Sequence, residues 1–261
     1  MNIGLALSGG GFRGVAHVGV IKALEEAEIS PTHISGTSAG AIVGALYAYG
    51  YNWKDILKFH ESIQIFDIKK YALGKPGFID AEKFYSKFND YLKEDNFNAL
   101  KKALTITATD LLNGKLKMFS EGELIKPLLA SAAFPGVFAP LKIKDSYYID
   151  GGALNNFPVE TLTSSCDIVI GSYVNGYDAV TINDLKYAYN VVERAFKLKS
   201  VKDDYAKFDT CDLVISPKEL SKYGTFSTNY LNEIFKIGYD ATKKALTPEV
   251  LQKLKPATKT I

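Results

Sequence analysis

The sequence contains few of the residues from which disulfide frameworks and metal sites are built. Its 261 residues include two cysteines, Cys166 and Cys211, and three histidines. Neither cysteine has a partner at metal-ligand spacing, and each precedes an apolar run, so we expect both to enter buried strands as small side chains. A disulfide framework is therefore not expected, and no metal site is recognisable.

Excess charge of one sign and long hydrophobic runs are also absent. The 31 basic and 29 acidic residues give a net charge of +2, which offers no electrostatic basis for binding nucleic acid. The longest apolar stretch, 41–51, is far shorter than the ~20 residues of a membrane span. Met1–Leu5 carries no basic segment before its apolar residues, as a signal peptide would. We therefore expect a soluble cytoplasmic protein.

The sequence does contain a regular alternation of strand patterns and helix patterns. This alternation favours a mostly parallel sheet with helices on both faces. The predicted helix from Ser38 to about Tyr49 is apolar on every side, which is typical of a helix that runs through a core. Strands are predicted at Ile3–Leu7, 34–36, 105–109, 168–174 and 213–216, with a hairpin at 142–149 and helices at 182–199 and 229–246.

One helix start and two other segments carry weaker signals. Ser120 and Glu123 match a capping box, and Pro127 then predicts a kink or a restart of the helix. The stretch 66–78 mixes aromatic, aliphatic and basic residues, which fits a lid or a membrane-surface contact but equally a loop packed on the body. We expect 255–261 to form a mobile tail.

The motif Gly36-Thr37-Ser38-Ala39-Gly40 stands between a predicted strand and a predicted helix. A strand that turns at once into a helix forces its corner residue into strained geometry and projects the side chain clear of the sheet. The glycines two positions away allow neighbouring backbone to pass close. Ser38 is therefore a candidate nucleophile, while a tight turn with a capping serine is the structural alternative.

A second glycine-rich segment, Gly9-Gly10-Gly11-Phe12-Arg13-Gly14, follows the first strand. Gly9, Gly11 and Gly14 fit a dinucleotide fingerprint, but the acid required near the end of the second strand is missing between residues 29 and 44. Nucleotide binding is therefore disfavoured. Exposed amides near a nucleophile instead favour an oxyanion hole, since both strand ends point to one edge of the sheet.

Asp150-Gly151-Gly152 is the third motif and follows a strand-like run. A serine nucleophile needs a base, but His17, His33 and His60 all lie in positions that do not suggest a triad. Asp150 stands at a strand end, where it is either an ordinary turn residue or a functional carboxylate.

In this order the three motifs resemble the patatin-like phospholipase family. Ala16–Val20 looks like the family's first helix, and Ser131–Phe138 looks like its serine-to-proline block. The resemblance covers about residues 4–160 and implies one patatin-like domain over 1–261. The implied fold is a three-layer α/β/α sandwich with a mostly parallel central sheet.

The resemblance also implies a catalytic dyad, with Ser38 as nucleophile and Asp150 as general base. It places Gly9, Gly10, Gly11 and Arg13 on the oxyanion loop, with Gly14, Gly36, Gly40, Gly151 and Gly152 as supporting motif glycines. No cofactor and no metal ion are expected. The implied function is hydrolysis of carboxyl esters of phospholipids or lysophospholipids. Peripheral contact with a membrane surface is left open beside a purely cytoplasmic location. A catalytically idle lipid-binding or regulatory protein is the alternative, and the oligomeric state stays open.

Overall fold

The computed structural model describes residues 1–62, 84–177, 179–225 and 228–255, without the side chains of Tyr189 and Thr228. The stretch 66–78 and nearly all of the predicted tail lie outside these ranges. Strands occupy Ile3–Leu7 (β1), His33–Thr37 (β2), Ala103–Asp110 (β3), Lys115–Phe119 (β4), Leu141–Ile143 (β5), Ser146–Asp150 (β6), Ile168–Ser172 (β7) and Leu213–Ile215 (β8).

Helices alternate with these strands along the chain, and short 3-10 turns fill several connections. None of the helices in the described part of the chain combines the length and the apolar character needed to cross a lipid bilayer. The helices are Val15–Glu26 (α1), Ala39–Tyr49 (α2), Trp53–Ser62 (α3), Tyr85–Tyr91 (α4), Ile125–Ser131 (α5), Ala188–Ala206 (α6), Leu231–Ala245 (α7) and Pro248–Leu254 (α8).

The strands form one mixed sheet in the order β5-β6-β3-β2-β1-β7-β8, with β4 paired to β3 outside this path. Neighbours from β3 through β2, β1 and β7 to β8 are parallel, whereas β4, β5 and β6 join by antiparallel pairing. The predicted α/β sandwich is confirmed, and its antiparallel part consists of the hairpin predicted at 142–149 together with β4, which was not predicted.

Side chains alternate between the two faces of the central strands and pack into two separate hydrophobic cores. In β1, Leu5 and Leu7 face the main core, which also takes apolar side chains from α1, α2 and α5. Ala6 faces a smaller core on the other side of the sheet, built around Phe157 and Tyr173. Positions 39–48 of α2 are all buried, which confirms the core helix predicted from its uniform apolar character.

The predicted capping box at Ser120 is wrong. Helix α5 begins at Ile125, and the carboxylate of Asp95 caps it by accepting the N–H groups of Leu124 at 2.8 Å and Ile125 at 2.7 Å. Pro127 lies in the first turn, where its missing N–H would have no helical acceptor, so it causes no kink.

The helix predicted from residue 182 also begins later than expected. Asp184 closes a short 3-10 turn by accepting a hydrogen bond from the Thr181 amide at 2.7 Å. Tyr187 then has an extended backbone, so α6 begins at Ala188. The cysteines Cys166 and Cys211 are half-buried and free, and both pack against the smaller core.

Candidate active site

Ser38 occupies the corner between β2 and α2. Strand β2 ends at Thr37 and α2 begins at Ala39, so a single residue makes the turn. Its backbone lies at φ 53° and ψ −121°, a conformation that residues other than glycine rarely adopt. This strained corner is the geometry of a nucleophile elbow, in which the side chain projects away from the sheet.

The two motif glycines that flank Ser38 are required by close backbone contacts. A Cβ on Gly36 would lie 2.6 Å from the backbone nitrogen of Ala41, and a Cβ on Gly40 would lie 2.6 Å from the carbonyl oxygen of Ser8. Both distances are far below van der Waals contact. The ends of β1 and β2 and the start of α2 therefore pass too close together for side chains at these positions.

The register of β3 explains how Ser38 meets Asp150. Thr37 at the end of β2 pairs with Thr107, and Asp150 at the end of β6 pairs with the next residue of β3. Strand β4 also pairs with this part of β3, so it must occupy the opposite edge. Strands β2 and β6 therefore meet end to end on one edge of β3. Ser38, which follows β2, and Asp150, the last residue of β6, thus lie at the same point.

Thr107 holds this junction from the side of β3. Its hydroxyl donates to the Thr37 hydroxyl at 2.6 Å, and the Thr37 hydroxyl in turn donates to the Asn155 carbonyl at 3.0 Å. A Cβ on Gly151 would lie 2.6 Å from the carbonyl oxygen of Thr107. The residues next to Ser38 and next to Asp150 are therefore both fixed against one strand residue.

Asp150 is buried, with 4% of its surface exposed. Its carboxylate accepts the N–H of Gly152 at 2.8 Å, and the nearby Ser38 hydroxyl also favours its ionised form. Burial is the largest influence and raises the pKa of Asp150 to about 6, although both of these groups act in the opposite direction. A carboxyl group with this pKa is largely ionised at pH 7 and can accept a proton.

Ser38 and Asp150 open into a narrow cleft, called here the Ser38 cleft. The described residues enclose about 50 Å³ of space in it, which is room for a few water molecules but far less than the ~300 Å³ of a small ligand pocket. The cleft is lined mainly by the glycine loop, the β2–β6 junction, the segment that follows α5 and one face of α6. Phe134 and Phe138 come from the block 131–138, whereas Glu193, Phe196, Lys197 and Ser200 on α6 were marked by no sequence motif.

The glycine loop lies beside Ser38. The N–H of Gly9 donates to the Asn156 carbonyl at 3.0 Å. The N–H groups of Gly10 and Gly11 have no acceptor among the described residues, and both glycines line the Ser38 cleft. Amides of this kind are the donors that stabilise an oxyanion, and the oxyanion role of Gly9, Gly10, Gly11 and Arg13 stays a prediction.

Arg13 and Gly14 serve the same loop in different ways. The guanidinium of Arg13 is buried and donates to Asn175 Oδ1 at 2.7 Å and to Thr225 Oγ1 at 2.9 Å. Its side chain thus fastens the loop to two neighbouring segments. A Cβ on Gly14 would lie 2.6 Å from the Cβ of Ala39, so this glycine lets the loop approach the start of α2.

None of the three histidines lines the part of the Ser38 cleft that the structure describes. The ring of His17 is buried between the Ser8 carbonyl at 2.9 Å and the Ser172 hydroxyl at 2.7 Å. Burial lowers the pKa of both His17 and His60 to about 4. The described ranges also contain no group of three or more His, Cys, Asp and Glu side chains that could hold a metal ion.

Helix α6 forms the wall that sequence reasoning missed. The ring of Phe196 lies 5.2 Å from the ring of Phe134, and Lys197 Nζ lies 3.0 Å from the Glu193 carboxylate. Glu193 also lies 3.6 Å from the buried Arg13 guanidinium. Helical spacing of 193, 196, 197 and 200 was the available signal, but it does not distinguish a cleft wall from an ordinary packed face.

Two further polar residues received no role from the sequence, although Ser131 opens the serine-to-proline block. The hydroxyl of Ser131 accepts the backbone N–H of Ser38 at 2.8 Å and so holds the strained corner in place. Asn156, whose carbonyl accepts the Gly9 amide, donates from Nδ2 to Asp204 on α6 at 3.2 Å. Burial raises the pKa of Asp204 to about 6. The Asn156 contacts connect the glycine loop to α6, and the Ser131 contact separately fixes the corner at Ser38.

The arrangement can be compared with known proteins. A family model described as patatin-like phospholipase matches residues 5–163, a range that contains the glycine loop, Ser38 and Asp150. The chain belongs to this family. Its patatin-like region therefore includes β1 to β6 and the whole junction at which Ser38 and Asp150 meet.

Relatives of this patatin-like chain are longer proteins. An uncharacterized NTE family protein of Mycobacterium tuberculosis is 34% identical over 188 residues, which cover 70% of this chain and 51% of the relative. Lysophospholipase nte1 of Emericella nidulans is 27% identical over 290 residues, which cover 97% of this chain and 18% of the relative. The chain thus spans about half the length of the first relative and a smaller share of the second.

Solved structures show the same patatin-like fold. VipD from Legionella pneumophila aligns with a TM-score of 0.54 at 16% identity, over 97% of this chain and 66% of that one. The heterodimeric complex ExoU-SpcU from the type III secretion system of Pseudomonas aeruginosa aligns with a TM-score of 0.53 at 16% identity, over 97% of this chain and 52% of that one. At this identity the likeness concerns the fold alone.

Proposed function

We propose that the chain is a serine acyl hydrolase that cleaves carboxyl esters of phospholipids or lysophospholipids with a Ser38–Asp150 dyad. The observation that carries the proposal is that Ser38, on its strained corner, and the buried carboxylate of Asp150 line the same cleft, beside two amides with no acceptor among the described residues. Membership of the patatin-like phospholipase family supports lipid esters as the substrate class. A relative named lysophospholipase supports the same class.

In the proposed reaction, Asp150 accepts the Ser38 proton while Oγ forms a bond to the ester carbonyl carbon. The carbonyl oxygen becomes an oxyanion that faces the N–H groups of Gly10 and Gly11. Collapse of the tetrahedral intermediate breaks the bond to the alcohol, and Asp150 returns the proton to the leaving oxygen. A water molecule then gives its proton to Asp150 and attacks the acyl-enzyme, which releases the fatty acid and restores the Ser38 hydroxyl.

The pKa of Asp150 decides whether a carboxylate can replace histidine as the base. An unperturbed Asp has a pKa near 3.9 and an unperturbed His near 6.5, a difference of about 3.5 kcal/mol in proton affinity. Burial raises the pKa of Asp150 to about 6 and removes most of this difference. Each good oxyanion donor stabilises the transition state by about 3–4 kcal/mol, which is enough to offset the remainder.

The direct test combines labelling with two substitutions. A fluorophosphonate probe should label the wild-type protein but not Ser38→Ala. Hydrolysis should fall by at least about 10³-fold in Asp150→Asn, because the amide cannot accept the proton. His33→Asn is the control, since His33 lies at the first position of β2, at the end of the strand away from Ser38. Near-normal turnover in Asp150→Asn together with loss in the His33 variant would disprove the dyad.

A lipid panel separates the proposal from a catalytically idle lipid-binding protein. Phospholipids, lysophospholipids and a short soluble ester should be offered to the wild type and to Ser38→Ala. The proposed hydrolase releases fatty acid from at least one lipid in the wild type only. Binding of lipid with no release from any of them would favour the idle alternative.

The pH dependence of hydrolysis gives an independent check. Because Asp150 must be ionised to act as base and burial raises its pKa to about 6, kcat/KM should fall about tenfold per pH unit below pH 6. The decline should begin about two pH units higher than for an unperturbed aspartate. A profile that stays flat down to pH 4 would contradict the assignment of Asp150 as base.

A further inference from the structure

Helix α6 has two faces of different character. Glu193, Phe196 and Lys197 point to the Ser38 cleft and line its wall. On the other side, Val191 and Leu198 are 51% and 54% exposed. These two positions are seven residues apart and thus lie on the same side of the helix, about half a turn away from the cleft-lining residues. The cleft wall therefore has an apolar outer surface.

The segment before α6 extends this apolar surface. Ile182 is 80% exposed, and Val180 and Tyr187 are also exposed. The guanidinium of Arg194, on α6, lies 4.3 Å from the ring centre of Tyr177, which ties the segment to the helix. The α6 surface is defined here as Val180, Ile182, Tyr187, Val191 and Leu198. Several exposed apolar side chains in one stretch of the chain mark a binding surface more often than a single one does.

Basic side chains accompany the α6 surface. Between residues 180 and 205, the exposed cations are Lys186, Lys199 and Lys202 and the exposed acids are Asp184 and Asp203. Arg194, Lys197 and Glu193 are half-exposed, and Lys197 is paired with Glu193. The Asp184 carboxylate is already bound to the Thr181 amide and hydroxyl. An apolar stripe with interspersed cations is the pattern by which a helix lies on an anionic lipid surface.

We infer that the α6 surface docks on an anionic lipid bilayer and thereby sets the wall of the Ser38 cleft against the membrane. The positive charge favours anionic lipid as the occupant over a second copy of this chain, which would oppose like charges across the interface. The preference for lipid over a protein partner of acidic character rests on the proposed function.

Vesicle binding tests the inference without any need for turnover. The protein carrying Ser38→Ala should float with vesicles of phosphatidylcholine and phosphatidylglycerol, and adding Val191→Asp with Leu198→Asp should reduce the bound fraction at least about tenfold. The matched control is Leu112→Asp with Met118→Asp. These two residues are exposed to a similar extent, 63% and 51%, but lie in the β3–β4 hairpin. An equal loss in the control would overturn the inference.

A charge variant tests the anionic character of the partner. Lys186→Gln with Lys202→Gln should weaken binding to the anionic vesicles about fivefold per charge. Raising the salt concentration should weaken binding in the same way, and vesicles of phosphatidylcholine alone should bind the wild type poorly. Equal binding to both kinds of vesicle by the wild type and the charge variant would overturn the inference.

Two further measurements separate this inference from its rivals. Sedimentation equilibrium without lipid should give the same mass for the wild type and for the Val191→Asp, Leu198→Asp variant. A wild-type dimer that this variant converts to a monomer, with no vesicle binding, would show that a second copy covers the surface. Hydrolysis of a soluble short ester reports on the dyad alone, so a failure of the proposed function and a failure of docking give different results.

Discussion

The helices on either side of the molecule are held in contrasting ways. Helix α7 packs on α1 through two glycines, because a Cβ on Gly238 would collide with the Ala16 carbonyl and a Cβ on Gly19 would collide with the Phe235 carbonyl. Helix α6 instead meets the rest of the protein through charged groups and rings, such as Glu193 beside Arg13 and Phe196 beside Phe134.

This difference indicates that the α1–α7 contact contributes more to stability, whereas the α6 side contains the buried ionisable groups. The α1–α7 contact is tight and leaves no room for a side chain, which is typical of a permanent core. The α6 side holds buried carboxylates at Asp150 and Asp204, each with a raised pKa because of burial. Buried charge opposes folding unless it is paired, so the cleft side should be the less stable part.

The largest expected effect comes from placing a side chain in the α1–α7 contact. Gly238→Val should lower the free energy of unfolding by at least about 3 kcal/mol, because the helices must separate to admit it. Ala195→Val on the exposed side of α6 should change it by less than about 0.5 kcal/mol. Urea unfolding of both variants measures the difference. Comparable values would mean that the two helices are packed alike.

A smaller effect should follow from removing the buried charge at the cleft. The folded state raises the pKa of Asp150 from 3.8 to about 6, so it binds the proton more tightly than the unfolded state does. The stability that this group contributes is therefore present below about pH 4 and is lost as pH rises to 6, by about 2–3 kcal/mol. Asp150→Asn has no ionisable group at this position, so its stability does not fall in this way as pH rises.

Between pH 4 and pH 8, the free energy of unfolding of Asp150→Asn should therefore rise relative to that of the wild type. Asp110 is the matched surface carboxylate, since hydrogen bonds from Ser146 and Asn113 lower its pKa instead. Its contribution to stability is present above about pH 4 and is lost in more acidic solution, so Asp110→Asn should become less stable relative to the wild type as pH rises through 3.8 and should change little above that. A change of the same sign in the relative stability of both variants would contradict the inference that the buried Asp150 carboxylate opposes folding at neutral pH.

The smallest effect compares two half-buried phenylalanines, one on each helix. Phe196 lies 5.2 Å from Phe134 at the cleft, and Phe235 lies 5.6 Å from Trp53 on the other side. Phe196→Ala should cost about 1 kcal/mol of stability and lower KM for long-chain esters, because it widens a cleft too narrow for an acyl chain. Phe235→Ala should cost more stability, about 2–3 kcal/mol, and leave KM unchanged.

Unfolding curves and steady-state kinetics with a short and a long acyl ester distinguish the two variants. The ratio of kcat/KM for the long ester to that for the short ester should rise in Phe196→Ala only. An unchanged ratio in that variant would show that α6 does not limit access to the cleft.

The sequence was most informative where function requires a short local pattern. The corner at Ser38 follows from two glycines whose neighbours leave no space for a Cβ, and that constraint is visible within five residues. The buried helix α2 was equally predictable, because uniform apolar character has only one common explanation in a globular protein. Both features depend on residues that are close in the chain.

Features that depend on distant residues could not be predicted. Asp95 caps α5 from another segment, and a local capping box offered a misleading signal at Ser120. The wall of the cleft uses Glu193 and Phe196 on a helix whose spacing suits many roles. The meeting of β2 with β6 depends on strand register, which no motif encodes.

The end-to-end seating of β2 and β6 on β3 limits how this part of the chain can change in length. A single residue inserted near Thr107 would shift the part of β3 that pairs with β6 by about 3.4 Å relative to the part that pairs with β2. It would also turn the side chains of one of these parts to the opposite face of the sheet. Insertions in the turns that follow these strands leave that alignment intact. Length variation among working sequences should therefore be found in the connections and be absent from β3.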